Sequence, residues 1–215
     1  MHPYVIINCA ASVDGKLALK DNRPIRLSNE ADMARVHRLR HECDAVLVGI
    51  GTVLADDPKL TVKEQYVQNP KQPLRVVLDS SLKTPDDAEV MKPTAPTLIA
   101  TTSSVTPKKR GHADIICCGE SRIDLHKLMS YLYDIGVRKL LVEGGSTVIA
   151  SFLNERIVNE IFVFFAPVII GGSAPSIVGL IDDQHQEHPI VIDICNIQHL
   201  GEGFLVKMRP RYESY

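Results

Sequence analysis

Apolar, β-branched runs recur along the chain, with turn-forming residues between them. Most of these runs are continuous rather than alternating in polarity, which is typical of strands whose sheet is covered on both faces. We predict strands at Tyr4–Ala10, Ala45–Val48, Leu74–Leu78, Thr97–Ala100, Ile115–Cys118, Lys139–Val142, Ile161–Phe165 and Phe204–Met208.

Helical patterns separate these runs. The first follows a good N-cap at Ser28 or Asn29, and the second ends at Gly136, a residue type that commonly terminates helices. Strand and helix therefore alternate, which predicts one α/β domain, residues 1–215, with a largely parallel sheet. The helices are predicted at Asn29–Glu42, Leu125–Ile135 and Ser146–Asn154.

Composition and charge exclude several classes of protein. The formal net charge of −2 provides no basic surplus for a nucleic-acid backbone. No apolar run reaches the ~18 residues of a membrane span. The five cysteines are odd in number and form no C-x-x-C pair, and we recognise no secretory leader. These features predict reduced cysteines and a cytoplasmic protein without membrane or nucleic-acid partners.

A phosphate-binding pattern follows one predicted strand. Glu143 comes after the strand, Gly144 and Gly145 follow it, and Ser146 and Thr147 open a helix. Glycines let a ligand approach the backbone, and the N–H groups and dipole of a helix N-terminus favour an anion. The two glycines are equally compatible with a purely geometric role in the turn. Glu143 stands where open α/β sheets carry functional groups.

The strand at Ala45–Val48 is followed by a Gly-x-Gly segment that ends in two carboxylates. A Rossmann fingerprint is disfavoured because Leu54 occupies the position of its third glycine. Thr52 lies one helical turn before Asp56, so both side chains can face one ligand. A helix cap is the competing role for Thr52 or Asp56 taken alone. Asp57 follows directly and makes the pair of carboxylates.

Two further strand ends carry polar groups. The first strand is followed by a turn built on Asp14-Gly15, with Lys16 next to it. Taken alone, Lys16 would be interpreted as an ordinary surface lysine. The strand Leu74–Leu78 is followed by Asp79 and Ser80.

Two histidine patterns resemble metal-binding motifs without completing them. His37 and His41 are spaced i,i+4 on a predicted helix, but no metalloprotease glutamate lies between them, so we expect a solvated helix face. His185-Gln186-Glu187 matches the H-x-E of zinc deaminases, yet the P-C-x-x-C partner is absent. We predict no metal site.

Taken together, the motifs resemble a known family. In chain order they are Ala11-Ser12-Val13-Asp14-Gly15-Lys16, Gly51-Thr52-Val53-Leu54-Ala55-Asp56-Asp57-Pro58-Lys59-Leu60-Thr61-Val62, Val77-Leu78-Asp79-Ser80, Val142-Glu143-Gly144-Gly145-Ser146-Thr147 and Phe165-Ala166-Pro167-Val168-Ile169-Ile170-Gly171-Gly172. With these motifs, almost the whole chain is similar to the reductases of riboflavin biosynthesis.

The resemblance implies a dihydrofolate-reductase-like α/β fold, with a mostly parallel central sheet flanked by helices, and a homodimer. It also implies a reductase that uses NADPH, with NADH as the alternative. The reductase converts the phosphorylated ribosyl group of a pyrimidine precursor to ribityl by hydride transfer to C1′. The ring oxygen needs a proton in this reaction, and we predict that Lys16 and Glu143 are the catalytic groups that assist.

The resemblance assigns the other site residues as well. Arg40 and Lys63 are the implied partners of the substrate phosphate, one a planar fork and the other a point charge. The implied cofactor-binding residues are Ala10, Thr52, Asp56, Ser80, Gly144, Gly145, Ser146, Thr147 and Val148. The implied substrate-binding residues are Arg40, Asp57, Leu60, Lys63 and Glu143.

Three alternatives remain open from the sequence. The substrate is either the diamino pyrimidinone or its deaminated uracil counterpart, according to whether reduction precedes or follows deamination. A reductase of the same fold could act on a pterin or folate. A non-catalytic nucleotide-binding relative is a third reading, which the intact Lys16, Asp56 and Glu143 disfavour.

Overall fold

The computed structural model describes residues 1–103, 110–180 and 189–212. Among these residues, no helix is long and apolar enough to cross a membrane. The segment His185–Glu187 lies outside the described residues. The elements are β1 (Tyr4–Ser12), α1 (Glu30–Glu42), β2 (Ala45–Gly49), α2 (Ile50–Asp56), β3 (Leu74–Leu78), β4 (Thr97–Thr101), β5 (Ala113–Cys117), α3 (Leu125–Asp134), β6 (Lys139–Val142), α4 (Ser146–Asn154), β7 (Glu160–Ala166), β8 (Val191–Leu200) and β9 (Gly203–Arg211).

The chain forms two compact units. The first contains Met1–Tyr4 and Val36–Leu141, and the second contains Val5–Arg35 and Val142–Tyr215. Strands of the first unit lie in the order β5-β4-β3-β2-β6. The pairs β2–β3, β3–β4 and β4–β5 are all parallel. This arrangement confirms the largely parallel sheet that the continuous apolar runs predict.

The core of the first unit is built from these strands and from α3. The side chain of Asp124 caps α3 by accepting a hydrogen bond from the Lys127 N–H. Gly136 follows the helix at φ +98°, a conformation that L side chains rarely adopt, so the predicted stop at this glycine is confirmed. One face of α3 is buried through Leu125, Leu128, Met129 and Leu132.

The second unit contains strands in the order β1-β7-β9-β8. β1 and β7 are parallel, whereas β9 runs antiparallel to both β7 and β8. Helix α4 buries Val148, Ile149 and Phe152. Asn29 provides the predicted N-cap of α1, because its Oδ1 accepts the Asp32 N–H at 2.9 Å.

Two elements are absent from the sequence-based predictions. Helix α2 has only seven residues and contains Gly51, so it is too short for a clear helical periodicity. Strand β8 is exposed along most of its length, so its apolar residues mark no buried face. The bounds of β3, β6 and α4 agree with the predictions, and those of the other predicted elements differ by one to three residues.

Candidate active site

The predicted site residues fall into two groups, one in each unit. The second unit carries Ala10, Lys16 and the segment from Glu143 to Val148. The first unit carries Arg40, Thr52, Asp56, Asp57, Leu60, Lys63 and Ser80.

A tight turn after β1 holds Lys16. The Ser12 hydroxyl accepts the Lys16 N–H at 2.9 Å and donates to Asp14 Oδ1 at 2.6 Å. Gly15 has φ +76°, and its N–H donates to the Ser12 carbonyl. The turn predicted on Asp14-Gly15 is therefore confirmed, and hydrogen bonds on both sides stabilise it.

The Lys16 side chain is more constrained than that of a typical surface lysine. Its Nζ donates to the Ser176 hydroxyl at 3.1 Å, and the residue is partly buried. Lys16 and Ser176 also form an antiparallel bridge through their backbones. Ala10, in the same strand β1, pairs with Phe164 of β7 and packs against the cluster that contains Leu27 and Leu205.

The segment after β6 has the geometry expected for binding an anion. Gly144 and Gly145 have φ of +125° and +81°, and a Cβ at Gly144 would point into open space. Gly145 is the N-cap of α4 and supplies no side-chain cap, so the first-turn N–H groups of the helix are available as donors. This segment fits the pyrophosphate of a nicotinamide cofactor.

Glu143 and the hydroxyl residues flank this anion cradle. Glu143 is partly buried between β6 and the glycine pair, and the residue has an interaction partner in the structure. Ser146 is partly buried and Thr147 is exposed, whereas Val148 is buried in the core. Val148 can therefore contribute its backbone N–H to a ligand, but not its side chain.

In the first unit, Thr52 and Asp56 lie on the same face of α2, as their spacing predicts. Thr52 is partly buried. Asp56 is an exposed residue overall. Neighbouring atoms nevertheless shield part of its carboxyl group from water, and this desolvation raises the pKa of Asp56 above its usual value. Both side chains can reach one ligand.

Asp57 closes α2 in the left-handed conformation, with φ 40°. Its Oδ1 accepts the N–H of Glu89 at 2.8 Å. One carboxylate oxygen of this predicted substrate ligand is thus already engaged by a backbone N–H 32 residues away.

The second half of α1 holds the segment that contains Leu60 and Lys63. Arg40 Nη1 donates to the Thr61 carbonyl at 3.0 Å, and the Lys63 N–H donates to His37 Nδ1 at 3.3 Å. Leu60 is buried with φ 53°. Arg40 and Lys63, the two cations expected to bind phosphate, are therefore carried by neighbouring, mutually bonded segments.

The structure corrects the prediction that His37 and His41 lie on a solvated face of α1. His37 is only 1% exposed, so it does not belong to a solvated face. His41 Nδ1 accepts the Lys71 N–H at 3.1 Å. Both histidines hold the loop after α2, and among the described residues no group of three metal-ligating side chains occurs. The buried position of His37 could not be predicted from the sequence, because Lys63, the residue that it bonds, lies 26 residues away in the chain.

Ser80 follows β3 and is supported by buried polar contacts. Thr102 donates its hydroxyl to the Ser80 carbonyl at 3.0 Å. Asp79 is fully buried and accepts both the N–H and the hydroxyl of Thr84 at 2.7 Å. The turn that presents Ser80 is therefore anchored from two directions.

Comparisons with known proteins show the family of this chain. The model of the RibD C-terminal domain family matches residues 3–206. A relative from Archaeoglobus fulgidus, named 2,5-diamino-6-ribosylamino-4(3H)-pyrimidinone 5′-phosphate reductase, is 39% identical; the match covers 97% of this chain and 99% of that protein.

Two solved structures show the likeness in three dimensions. The deaminase/5-amino-6-(5-phosphoribosylamino)uracil reductase of Thermotoga maritima superposes with a TM-score of 0.82 at 28% identity, over 98% of this chain and 57% of that one. Dihydrofolate reductase from Enterococcus faecalis superposes with a TM-score of 0.56 at 9% identity, over 98% of this chain and 99% of its own. The predicted dihydrofolate-reductase-like α/β fold is confirmed.

Proposed function

The chain belongs to the RibD C-terminal domain family, and on this premise we propose that it reduces the ribosyl group of 2,5-diamino-6-ribosylamino-4(3H)-pyrimidinone 5′-phosphate to ribityl. The observation that carries this proposal is the 39% identity with the archaeal reductase across almost the full length of both chains. The reductase is an oxidoreductase of riboflavin biosynthesis that uses a nicotinamide cofactor.

The cofactor supplies a hydride, and the chain supplies binding, orientation and protons. The uncapped N-terminus of α4 would hold the pyrophosphate of the cofactor through its N–H groups. Thr52 and Asp56, on one face of α2, and the hydroxyl of Ser80 after β3 would supply further contacts to the cofactor.

The substrate reacts at C1′ of its sugar. Opening of the ribosylamine ring breaks the C1′–O4′ bond, places a proton on O4′ and leaves an imine between C1′ and the amine nitrogen. Hydride addition at C1′ and protonation of the nitrogen then give the ribityl amine. We assign Lys16 to proton donation, because its ammonium is a donor held at a defined position. Glu143 orients the amino groups of the pyrimidine and exchanges protons with the substrate.

The substrate phosphate is assigned to Arg40 and Lys63. Arg40 is held through its bond to Thr61, which pre-orients the guanidinium fork. Lys63 is exposed, and its backbone is anchored on His37. Leu60 and Asp57 complete the proposed substrate contacts on the same stretch of chain.

We propose NADPH as the preferred cofactor. Ser80, Ser81 and Lys83 lie on one turn after β3, with Ser81 and Lys83 exposed, and this combination of hydroxyls and a cation suits a 2′-phosphate. Replacing Lys83 with Gln should raise the KM for NADPH and leave the KM for NADH unchanged. Equal changes for both cofactors would argue against a 2′-phosphate contact at this turn.

A homodimer, a single reductase domain and a cytoplasmic location complete the proposal. Val191, Ile194 and Ile197 of β8 are 39%, 64% and 59% exposed, which suits a strand covered by a second copy. Light scattering should give twice the 23.8 kDa chain mass. Ile194→Lys should yield monomers, whereas the control Ile135→Lys, at the half-exposed C-cap of α3, should not. A single calorimetric unfolding transition is expected for one domain.

The reductase activity is tested by following oxidation of NADPH with each of two phosphates, the diamino pyrimidinone and its deaminated uracil counterpart. Faster turnover of the diamino compound supports reduction before deamination. Preference for the uracil places the enzyme after deamination instead. Turnover of neither compound by a protein that binds NADPH would reject the proposed reaction and favour a pterin reductase or an inactive binder.

A further inference from the structure

A segment that the proposed reaction does not use runs along the turn that carries Lys16. We call residues 168–179 the strap. The Val13 N–H donates to the Val168 carbonyl and the Leu17 N–H to the Pro175 carbonyl, each at 2.9 Å. Through these bonds the strap follows the turn on both sides of Lys16, within the second unit.

The strap is clamped at its start by Asp14. The Asp14 carboxylate accepts the N–H of Ile170 at 3.1 Å and that of Gly171 at 2.7 Å. Gly171 and Gly172 have φ of +70° and +59°, so the strap bends sharply at the clamp. The same carboxylate accepts the Ser12 hydroxyl, whose oxygen holds the Lys16 N–H. Asp14 therefore joins the strap to the backbone of Lys16.

In its middle, the strap reaches the functional group of Lys16. Ser176 accepts a hydrogen bond from Lys16 Nζ at 3.1 Å. Ile177 next to it donates its N–H to the Gly15 carbonyl at 3.0 Å. A free lysine side chain samples many rotamers, and fixing it in one position costs conformational entropy. The contact with Ser176 selects one of these positions before substrate binds.

At its far end, the strap touches the first turn of α4. The Gly179 N–H donates to the Ser146 carbonyl at 3.0 Å. A Cβ on Gly179 would lie 3.2 Å from the carbonyl carbon of Ser146 and 3.3 Å from the Thr147 nitrogen. The strap thus extends from the Lys16 turn to the helix that we propose binds the cofactor.

We propose that Asp14 and Ser176 are positioning residues for Lys16: Asp14 clamps the strap to the turn, and Ser176 on the strap sets the position of the Lys16 ammonium. This inference rests on the proposed function of Lys16. Neither residue is assigned a contact with the reacting atoms, so their effect on turnover should depend on Lys16 being present.

A double-mutant cycle tests this dependence. Lys16→Met should lower kcat by about 100-fold, Asp14→Asn by about tenfold through misplacement of Lys16, and Ser176→Ala by about fivefold for one lost hydrogen bond. In the Lys16→Met background, Asp14→Asn and Ser176→Ala should add less than about twofold. Ser173→Ala is the matched control, an exposed serine on the same strap, and should leave kcat unchanged.

Chemical labelling of Lys16 gives a readout that does not require turnover. A water-soluble acylating reagent, with modification of Lys16 followed by mass spectrometry, should label Asp14→Asn and Ser176→Ala several-fold faster than the wild type and Ser173→Ala. The folded state of each variant is checked by its melting temperature. If Asp14→Asn does not fold, Ser176→Ala decides the question.

The possible failures are distinguishable. Wild-type labelling rates in both variants would overturn the positioning role, whatever the reaction is. Additive losses of kcat in the cycle would overturn it as well. Loss of the proposed function appears separately, as an inactive wild type or as a Lys16→Met variant with normal turnover, and leaves the labelling result intact.

Discussion

The ring of His37 stacks on the ring of Tyr66, with centroids 4.6 Å apart and planes 14° apart. Nδ1 of the same histidine accepts the Lys63 N–H. The buried histidine thereby joins α1 to both ends of the segment 63–66. The position of Lys63, a proposed phosphate partner, depends on this contact.

We expect His37→Leu to weaken binding of the phosphorylated substrate. The change removes the acceptor of the Lys63 N–H, so the lysine backbone loses its anchor. The KM for the substrate should rise by about tenfold, which corresponds to about 1.4 kcal/mol, with kcat and the Kd of the cofactor unchanged. His41→Leu is the control, because it removes a similar bond to Lys71. Equal KM changes in both variants would point to a general loosening of the loop.

Glu143→Gln should separate turnover from cofactor binding. The amide keeps the shape of the side chain at the end of β6 but cannot accept a proton. We expect kcat to fall by about 100-fold or more, while the Kd of NADPH stays within about twofold, since the N–H groups of α4 are unaffected. Steady-state kinetics and fluorescence titration measure the two quantities. Normal turnover in Glu143→Gln would remove Glu143 from the proposed mechanism.

Asp14 should make stability depend on acid pH. The Ser12 hydroxyl, followed by the N–H groups of Ile170 and Gly171, lowers the pKa of Asp14 to about 2 in the folded protein, against about 3.9 in an unfolded chain. A lowered folded-state pKa contributes stability that is fully present above the unfolded value and is lost as the pH falls toward the folded value. Its contribution should therefore persist above about pH 4 and fade between about pH 4 and 2.

Urea unfolding of the wild type and Asp14→Asn over this pH range provides the measurement. The difference in unfolding free energy between the two proteins should be constant above about pH 5 and shrink as the pH falls below about 4. Asp134→Asn, which replaces an exposed aspartate at the end of α3, is the matched control. A difference that grows toward low pH would contradict the clamp.

Arg75 offers a prediction about stability alone. This fully buried arginine donates to the carbonyls of Glu89, Lys92 and Ala95 and to the Thr94 hydroxyl, and burial lowers its pKa. Arg75→Leu leaves those carbonyls unpaired, so we expect the free energy of unfolding to fall by about 3 kcal/mol. Denaturant unfolding measures this loss. The KM values should not change in the fraction that remains folded; altered KM values would indicate that the 89–95 loop takes part in binding.

Local sequence patterns were sufficient for much of the fold. Three elements can be recognised from neighbouring residues alone: β3, whose apolar run is interrupted by Arg75, β6, and the helix after Gly145. Strand and helix periodicity is a property of neighbouring residues. The resemblance of the motifs likewise indicated the family and the reaction. Strand β8 was not predicted because its apolar side chains are exposed. Helix α2 was not predicted because it has only seven residues.

The sequence by itself determined the alternation of strands and helices, the turn on Asp14-Gly15, the shared face of Thr52 and Asp56, and the glycine pair before α4. Only the tertiary structure decided that His37 is buried under Tyr66, that Asp57 binds the backbone of Glu89, and that Asp14 and Ser176 hold the strap and Lys16 together. The physical reason is separation along the chain. The strap lies more than 150 residues from Asp14, and such pairings follow from how the strands are arranged in the fold rather than from any local pattern.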